Sequence, residues 1–130
     1  MTDFDRALTE HRAGRLEEAA AGYRRVLAHD PDHADACHLL GLTLHQWGEN
    51  SLAAALIERA LRAFERAIAI DPQDADAHNN YGLILGDLRR YADAIGPLRR
   101  ALSIRPDYPA AQNNLGRILV WAGEYDEGVR

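Results

Sequence analysis

Alanines recur along the chain with a large apolar side chain four positions later: Ala19/Tyr23, Ala53/Ile57, Ala60/Phe64 and Ala94/Leu98. Four residues are about one helical turn, so each pair lies on one face of a predicted helix. These stretches end at Asp30-Pro31, Asp71-Pro72 and Arg105-Pro106. Proline pushes the residue before it out of the α region, so each of the three prolines closes a helix. Apolar residues make up 47% of the chain and aromatics only 7%, which leaves alanine and leucine as the main apolar material. Both are strong helix formers, and the small alanine lets helices approach closely. The expected fold class is all-α.

Three segments are versions of one motif: Ala34-Asp-Ala-Cys-His-Leu-Leu-Gly41, Ala75-Asp-Ala-His-Asn-Asn-Tyr-Gly82 and Pro109-Ala-Ala-Gln-Asn-Asn-Leu-Gly116. Ala7 occupies the position of the motif's glycine in a first copy. Ala7 to Gly41 and Gly82 to Gly116 are each 34 residues, while Gly41 to Gly82 is 41. Each unit reads as two antiparallel helices, A and B, and the second A helix runs from about Ala34 to Trp47. Gly14, Gly48 and Gly123 suit the stop after an A helix, with Arg89 departing from the pattern in the third unit. Asp74 suits an N-cap and Pro109 a first helical turn. Gly41, Gly82 and Gly116 fall inside A helices, where glycine costs about 1 kcal/mol and a close neighbouring helix is the expected reason.

A period of 34 with Leu-Gly, Ala-x3-aromatic or aliphatic, then Pro resembles the tetratricopeptide repeat. The matching positions are Ala19, Tyr23 and Pro31; Ala60, Phe64 and Pro72; and Ala94, Leu98 and Pro106. The resemblance implies a right-handed α-solenoid of antiparallel helix pairs. It implies a single domain over 1–130, with repeats at about 1–33, 34–74 and 75–108 and a partial fourth at 109–130. Such a fold implies a protein-binding scaffold that takes an extended peptide or a partner helix in its concave groove, and no enzyme activity.

The seven extra residues of the second unit repeat a heptad, Ser51–Ile57 on Glu58–Phe64. Seven residues make nearly two turns, so the expectation is one extended B helix, about 10 Å longer than usual. Leu56, Ile57, Leu61, Phe64 and Ile68 give it an apolar stripe in need of cover. The expectation is a dislocation between the second and third units, with a second copy on the stripe, hence a possible homodimer.

Inward-facing A-helix residues carry ligand contacts in the family. Transferred to this chain they are Phe4, Asp5, Leu8, His11 and Arg12, then Asp35, His38, Leu39, Leu42, His45 and Gln46. The later units give Asp76, Asn79, Asn80, Leu83 and Asp87, then Asn113, Asn114, Arg117 and Trp121. Asn80 and Asn114 each stand two residues before the repeat glycine, similar to the asparagine ladder of O-linked N-acetylglucosamine transferase repeats. In that family these amides bind the backbone of an extended peptide. The chosen peptide-binding set is Asn80, Asn114, Asn79, Asn113, His38, His45, Arg117 and Trp121. Solvated or helix-bridging asparagines are the alternative role. Trp47 and Trp121 are expected in the core, with an exposed partner anchor as the alternative.

The same resemblance allows the chain to be the substrate-recruiting arm of a larger glycosyltransferase-like enzyme, or a self-assembly module. A chaperone-type carboxylate clamp is rejected: all fifteen cationic residues are arginine, with no lysine, and Asp35 and Asp76 sit near the equivalent rim. The arginine bias points to a GC-rich bacterial genome. A net charge of -5 argues against a nucleic-acid partner, which needs clustered cations. The polar start carries no signal peptide and no apolar run reaches membrane-spanning length, so a soluble cytoplasmic protein is expected. Cys37 is the sole cysteine and is expected to be a buried thiol. His38 and His45, and His29 and His33, are too few and too poorly arranged for zinc, and no metal or cofactor is expected.

Overall fold

The computed structural model describes residues 1–129, with side chains through Gly123. Seven helices follow one another, with no strand among the described residues: α1 Asp3–Arg12, α2 Leu16–His29, α3 Ala34–Gln46, α4 Asn50–Ile70, α5 Ala75–Asp87, α6 Tyr91–Ile104 and α7 Pro109–Val129. The fold is an all-α helical repeat in which α1, α3, α5 and α7 are the A helices. The chain divides into two compact units, Met1–Ala63 and Phe64–Arg130, and the boundary falls inside α4.

In the first unit, α1 opens on a capping box: the Asp5 N–H donates to Thr2 Oγ1 at 3.0 Å, and the Thr2 N–H donates to Asp5 Oδ2 at 3.2 Å. Asp5, expected in the groove, serves this cap. The α3 cap is His33, whose Nδ1 accepts the Ala36 N–H at 3.1 Å. The core takes Ala19, Ala20, Tyr23, Ala36, Cys37, Leu40 and Leu44, all buried. A Cβ on Gly41 would lie 2.8 Å from Ile57 Cγ1 and 3.2 Å from the Ala53 carbonyl, so only glycine allows this approach of α3 to α4.

In the second unit, Asp74 caps α5 by accepting the Ala77 N–H at 3.1 Å. The Gly41 contact recurs at Gly82, where a Cβ would meet Leu98 Cγ at 2.7 Å and the Ala94 carbonyl at 3.2 Å. Gly116 differs: nothing stands within 4 Å of its Cβ position, and Leu119 and Val120 beside it are 41% and 56% exposed. The close approach expected at Gly116 is therefore absent from the described residues. Pro97 sits inside α6 without ending it, at the cost of one backbone donor.

The stop after α1 and after α3 is the same backbone device. Gly14 and Gly48 turn left-handed, with φ of 81° and 82°. The residue after each donates back over the helix end: Arg15 N–H to the Glu10 carbonyl and Glu49 N–H to the Leu44 carbonyl, both at 2.9 Å. After α5 the same bond runs from the Arg90 N–H to the Leu85 carbonyl at 2.8 Å, but the left-handed residue is Arg89, with φ 62°. Gly123 does not act as expected, since α7 continues through it to Val129.

The second B helix is one continuous helix of 21 residues, as its duplicated heptad requires. Its apolar stripe is not the open one expected. Leu56, Ile57, Leu61 and Phe64 are between 4% and 8% exposed in the single chain, and Ile68 is half-buried. Four of the five residues expected to form a self-association surface are thus buried within the chain itself. The large apolar residues that α4 exposes are Leu52 and Ile70.

The turn between α6 and α7 is tied to α5 by Asp76, whose Oδ1 accepts from Arg105 at 3.1 Å and from the Tyr108 hydroxyl at 2.6 Å. Arg105 also stacks over the Tyr108 ring at 4.5 Å. These donors lower the Asp76 pKa, the Tyr108 bond first. Burial, then the Asp76 bond, pushes the Tyr108 hydroxyl up to about 12. Burial alone raises the fully buried Tyr23 hydroxyl, 2.7 Å from His11 Nδ1, to about 12 as well.

Three predictions follow from these contacts. Gly82→Ala should lose about 1–3 kcal/mol by overpacking, whereas Gly116→Ala should gain up to about 1 kcal/mol from helix propensity; chemical denaturation of both compares them directly. Arg89→Gly should stabilise by about 0.5–1 kcal/mol, since glycine relieves the left-handed backbone and gives back part of that in unfolded-state entropy. Two phenols with raised folded pKa add stability that is complete below about pH 10 and lost as pH climbs toward about 12. Thermal melts across that window should show the loss, and Tyr23→Phe should shrink it.

Candidate functional site

The A helices of the second unit, α5 and α7, bring the predicted ligand residues together. Asn79 on α5 and Asn114 on α7 are buried, and the Asn114 amide donates to Asn79 Oδ1 at 3.0 Å. Arg117, one turn along α7, donates to Asn114 Oδ1 at 2.7 Å. These two bonds engage half of the Asn114 amide, which has two N–H groups and two acceptor lone pairs. The helix-bridging role is thus realised at Asn114, in a site that still borders the surface through Arg117.

Beyond this chain of bonds lies a cleft of about 70 Å³ lined by Leu83, Gly86, Asp87, Asn114, Arg117, Ile118 and Trp121. Five of these seven belong to the set read from sequence. Gly86 and Ile118 were missed, and the structure gives the reason they matter. A Cβ on Gly86 would stand 2.7 Å from Ile118 Cδ1, so this glycine lets Ile118 lie across α5 as the cleft floor. The aligned position of α3 is His45, so the repeat pattern gave no cue to a glycine contact there.

Trp121 is 43% exposed and packs its ring on Tyr91 at 5.6 Å, and Trp47 is 41% exposed. Both tryptophans leave the core role expected of them.

The remaining candidates differ in exposure. Asn80 is half-buried on α5, and Asn113 is exposed on α7. His38 is buried at 5% exposure, which removes it from the groove-facing set, while His45 is exposed near the end of α3. Among the described residues no three His, Cys, Asp or Glu side chains converge as metal ligands would.

A further use of the A helices was not read from sequence. The fourth residue of α3, α5 and α7 donates to the carbonyl of the proline in the preceding turn. Cys37 reaches Pro31 at 3.6 Å, His78 Nε2 reaches Pro72 at 2.9 Å and Gln112 Nε2 reaches Pro106 at 3.2 Å. Three different donors at one repeat position were the available signal. Burial raises the Cys37 pKa first of all, which keeps this thiol protonated and suited to donate.

The tetratricopeptide repeat family model matches residues 4–63, 52–109 and 85–129. No curated protein matches the sequence. Among solved structures the chain is similar to a Thermobaculum terrenum O-GlcNAc transferase, 34% identical with a TM-score of 0.63, over 90% of this chain and 21% of that one. It is similar to Pseudomonas aeruginosa pilF, 27% identical with a TM-score of 0.63, over 93% of this chain and 52% of that one. The second TPR domain of human RPAP3, solved in complex with an HSP70 peptide, shares the fold at 21% identity and a TM-score of 0.57, with 90% of this chain and 92% of that domain covered. The chain thus spans about a fifth of the transferase and half of pilF. With family matches running from residue 4 to residue 129 and the helix pairs in place, the chain belongs to the tetratricopeptide repeat family.

Proposed function

We propose that the chain is a protein-interaction module that binds an extended peptide on the A-helix face of α5 and α7. The observation that carries this reading is the row formed by Asn79, Asn114 and Arg117 beside the exposed Trp121. Amides and a guanidinium match the donors and acceptors of a peptide backbone, and an exposed indole is a common anchor. The peptide-bound RPAP3 domain, which shares the fold, supports the general mode. Its ligand does not transfer, because this chain has no lysine for a carboxylate clamp. The chain itself carries no catalytic role in this reading. Among the described residues no helix is long and apolar enough to cross a membrane, which fits a module that meets its partner in water.

The 34% identity to the transferase favours a second reading, in which the same face recruits substrate for a catalytic domain elsewhere in a longer protein. Reading the native gene beyond the codon for Arg130 separates the two, since a stop codon there would end the second.

Peptides selected from a random display library on the purified chain provide the test. They should shift the backbone resonances of Asn80, Asp87, Arg117 and Trp121, and Arg117→Ala should weaken them about tenfold, the equivalent of about 1.4 kcal/mol. Selected peptides whose shifts fall wholly on B helices would overturn the assignment.

A further inference from the structure

Resting on that reading, we infer that the cleft between α5 and α7 is a selectivity pocket for one branched aliphatic side chain of the bound peptide, a valine, isoleucine or leucine. Its wall and floor are apolar: Leu83 half-buried, Ile118 buried, and the exposed face of Trp121. An aliphatic side chain seated there buries its surface against Leu83, Ile118 and Trp121. The volume bears on the size. About 70 Å³ is under half of the roughly 150 Å³ apolar cavity that accepts benzene, so the cleft suits one aliphatic side chain better than an aromatic ring. Asn114, Arg117 and Asp87 line the same cleft. An aliphatic side chain in the cleft therefore places its own peptide unit beside Asn114 and Arg117, where an amide and a guanidinium can bond it. An isolated hydrophobe would leave those groups unused, which is why the occupant is a residue within an extended peptide.

Two features tie the pocket to this pair of helices. Gly86 admits Ile118 to the floor, and Trp121 is held upright by its packing on Tyr91. The aligned residues of α3 are His45 and Gln46, which supply neither the space nor the wall.

The experiment takes one display-selected peptide and replaces each residue in turn by Ala, Val, Ile, Leu, Phe and Asp, with Kd measured by fluorescence anisotropy against wild type, Leu83→Phe and Trp121→Ala. One position should prefer Val, Ile or Leu over Ala by about tenfold or more, and reject Phe and Asp. Leu83→Phe should fill the cleft and erase that preference, while Trp121→Ala should open it and admit Phe. Both substituted residues lie at the surface rather than in the core, and circular dichroism confirms that each variant folds. If peptides bind on α5 and α7 with no aliphatic position, or if the preference survives in both variants, the pocket is refuted and the interaction face stands. If the peptides map to other helices, both fall together. Concentration-dependent self-association in the absence of peptide, lost in Trp121→Ala, would assign the cleft to a second copy and overturn the inference.

Discussion

Everything in this chain depends on how closely an A helix can lie against its B helix. At Gly41 and Gly82 the space for a Cβ is already taken by Ile57 or Leu98 and by an alanine's backbone carbonyl. A side chain would hold the pair apart and open the packing of every apolar residue along it. The first repeat makes its close approach by exchange. Ala7 fills the A-helix position, and the room is made on the B helix, where a Cβ on Gly22 would meet Ala7 Cβ at 2.8 Å. The constraint is therefore on the sum of two facing side chains and not on a glycine at one register.

That exchange marks what the sequence could and could not disclose. The period of 34, the Ala-x3-large pairs and the turn prolines disclosed the alternation of A and B helices, because these signals are local and repeated. The continuous α4 was legible for the same reason, since a duplicated heptad preserves the helical face. What surrounds a face was not legible. The stripe from Leu56 to Phe64 looked in need of a partner because one helix's pattern shows that a face is apolar, not which helices of the same chain reach it. Gly116 carries the same motif as Gly82, yet no neighbour stands against it among the described residues. Gly123 read as a stop by analogy with Gly48, but glycine only permits a left-handed turn, and α7 does not take it. Arg89 shows the converse, a left-handed stop made without glycine because the bond from Arg90 to Leu85 closes the helix regardless.

The candidate site was half legible for a related reason. Asn114, Arg117, Leu83, Asp87 and Trp121 sit at positions the repeat assigns to the inner A-helix face, so register alone found them. Register did not reveal that the Asn114 amide would spend part of its capacity on Asn79, nor that His38 would be buried. Those outcomes depend on the spacing between neighbouring A helices, which no single helix records. The donors from Cys37, His78 and Gln112 to the turn prolines were overlooked because their residue types differ. A carbonyl asks only for a proton on an atom of the right reach, and a thiol, an imidazole and an amide each provide one.

The repeat thus separates two kinds of position. Those that set the helix spacing tolerate exchange only in matched pairs, as Ala7 with Gly22 or Gly82 with Leu98. Those on the inner A-helix face differ from repeat to repeat, as Asp5, Leu39, Asn80 and Asn114 do, and take local roles such as the Asp5 cap and the Asn114 bridge. Gly86 belongs to both kinds. It lets Ile118 close against α5, as a packing residue would, and in doing so leaves a cleft beside Trp121 that no other described A-helix pair lines with these residues. A binding feature can arise in this architecture from one change in packing, without any new element or loop. The α5–α7 face is where this chain has made that change.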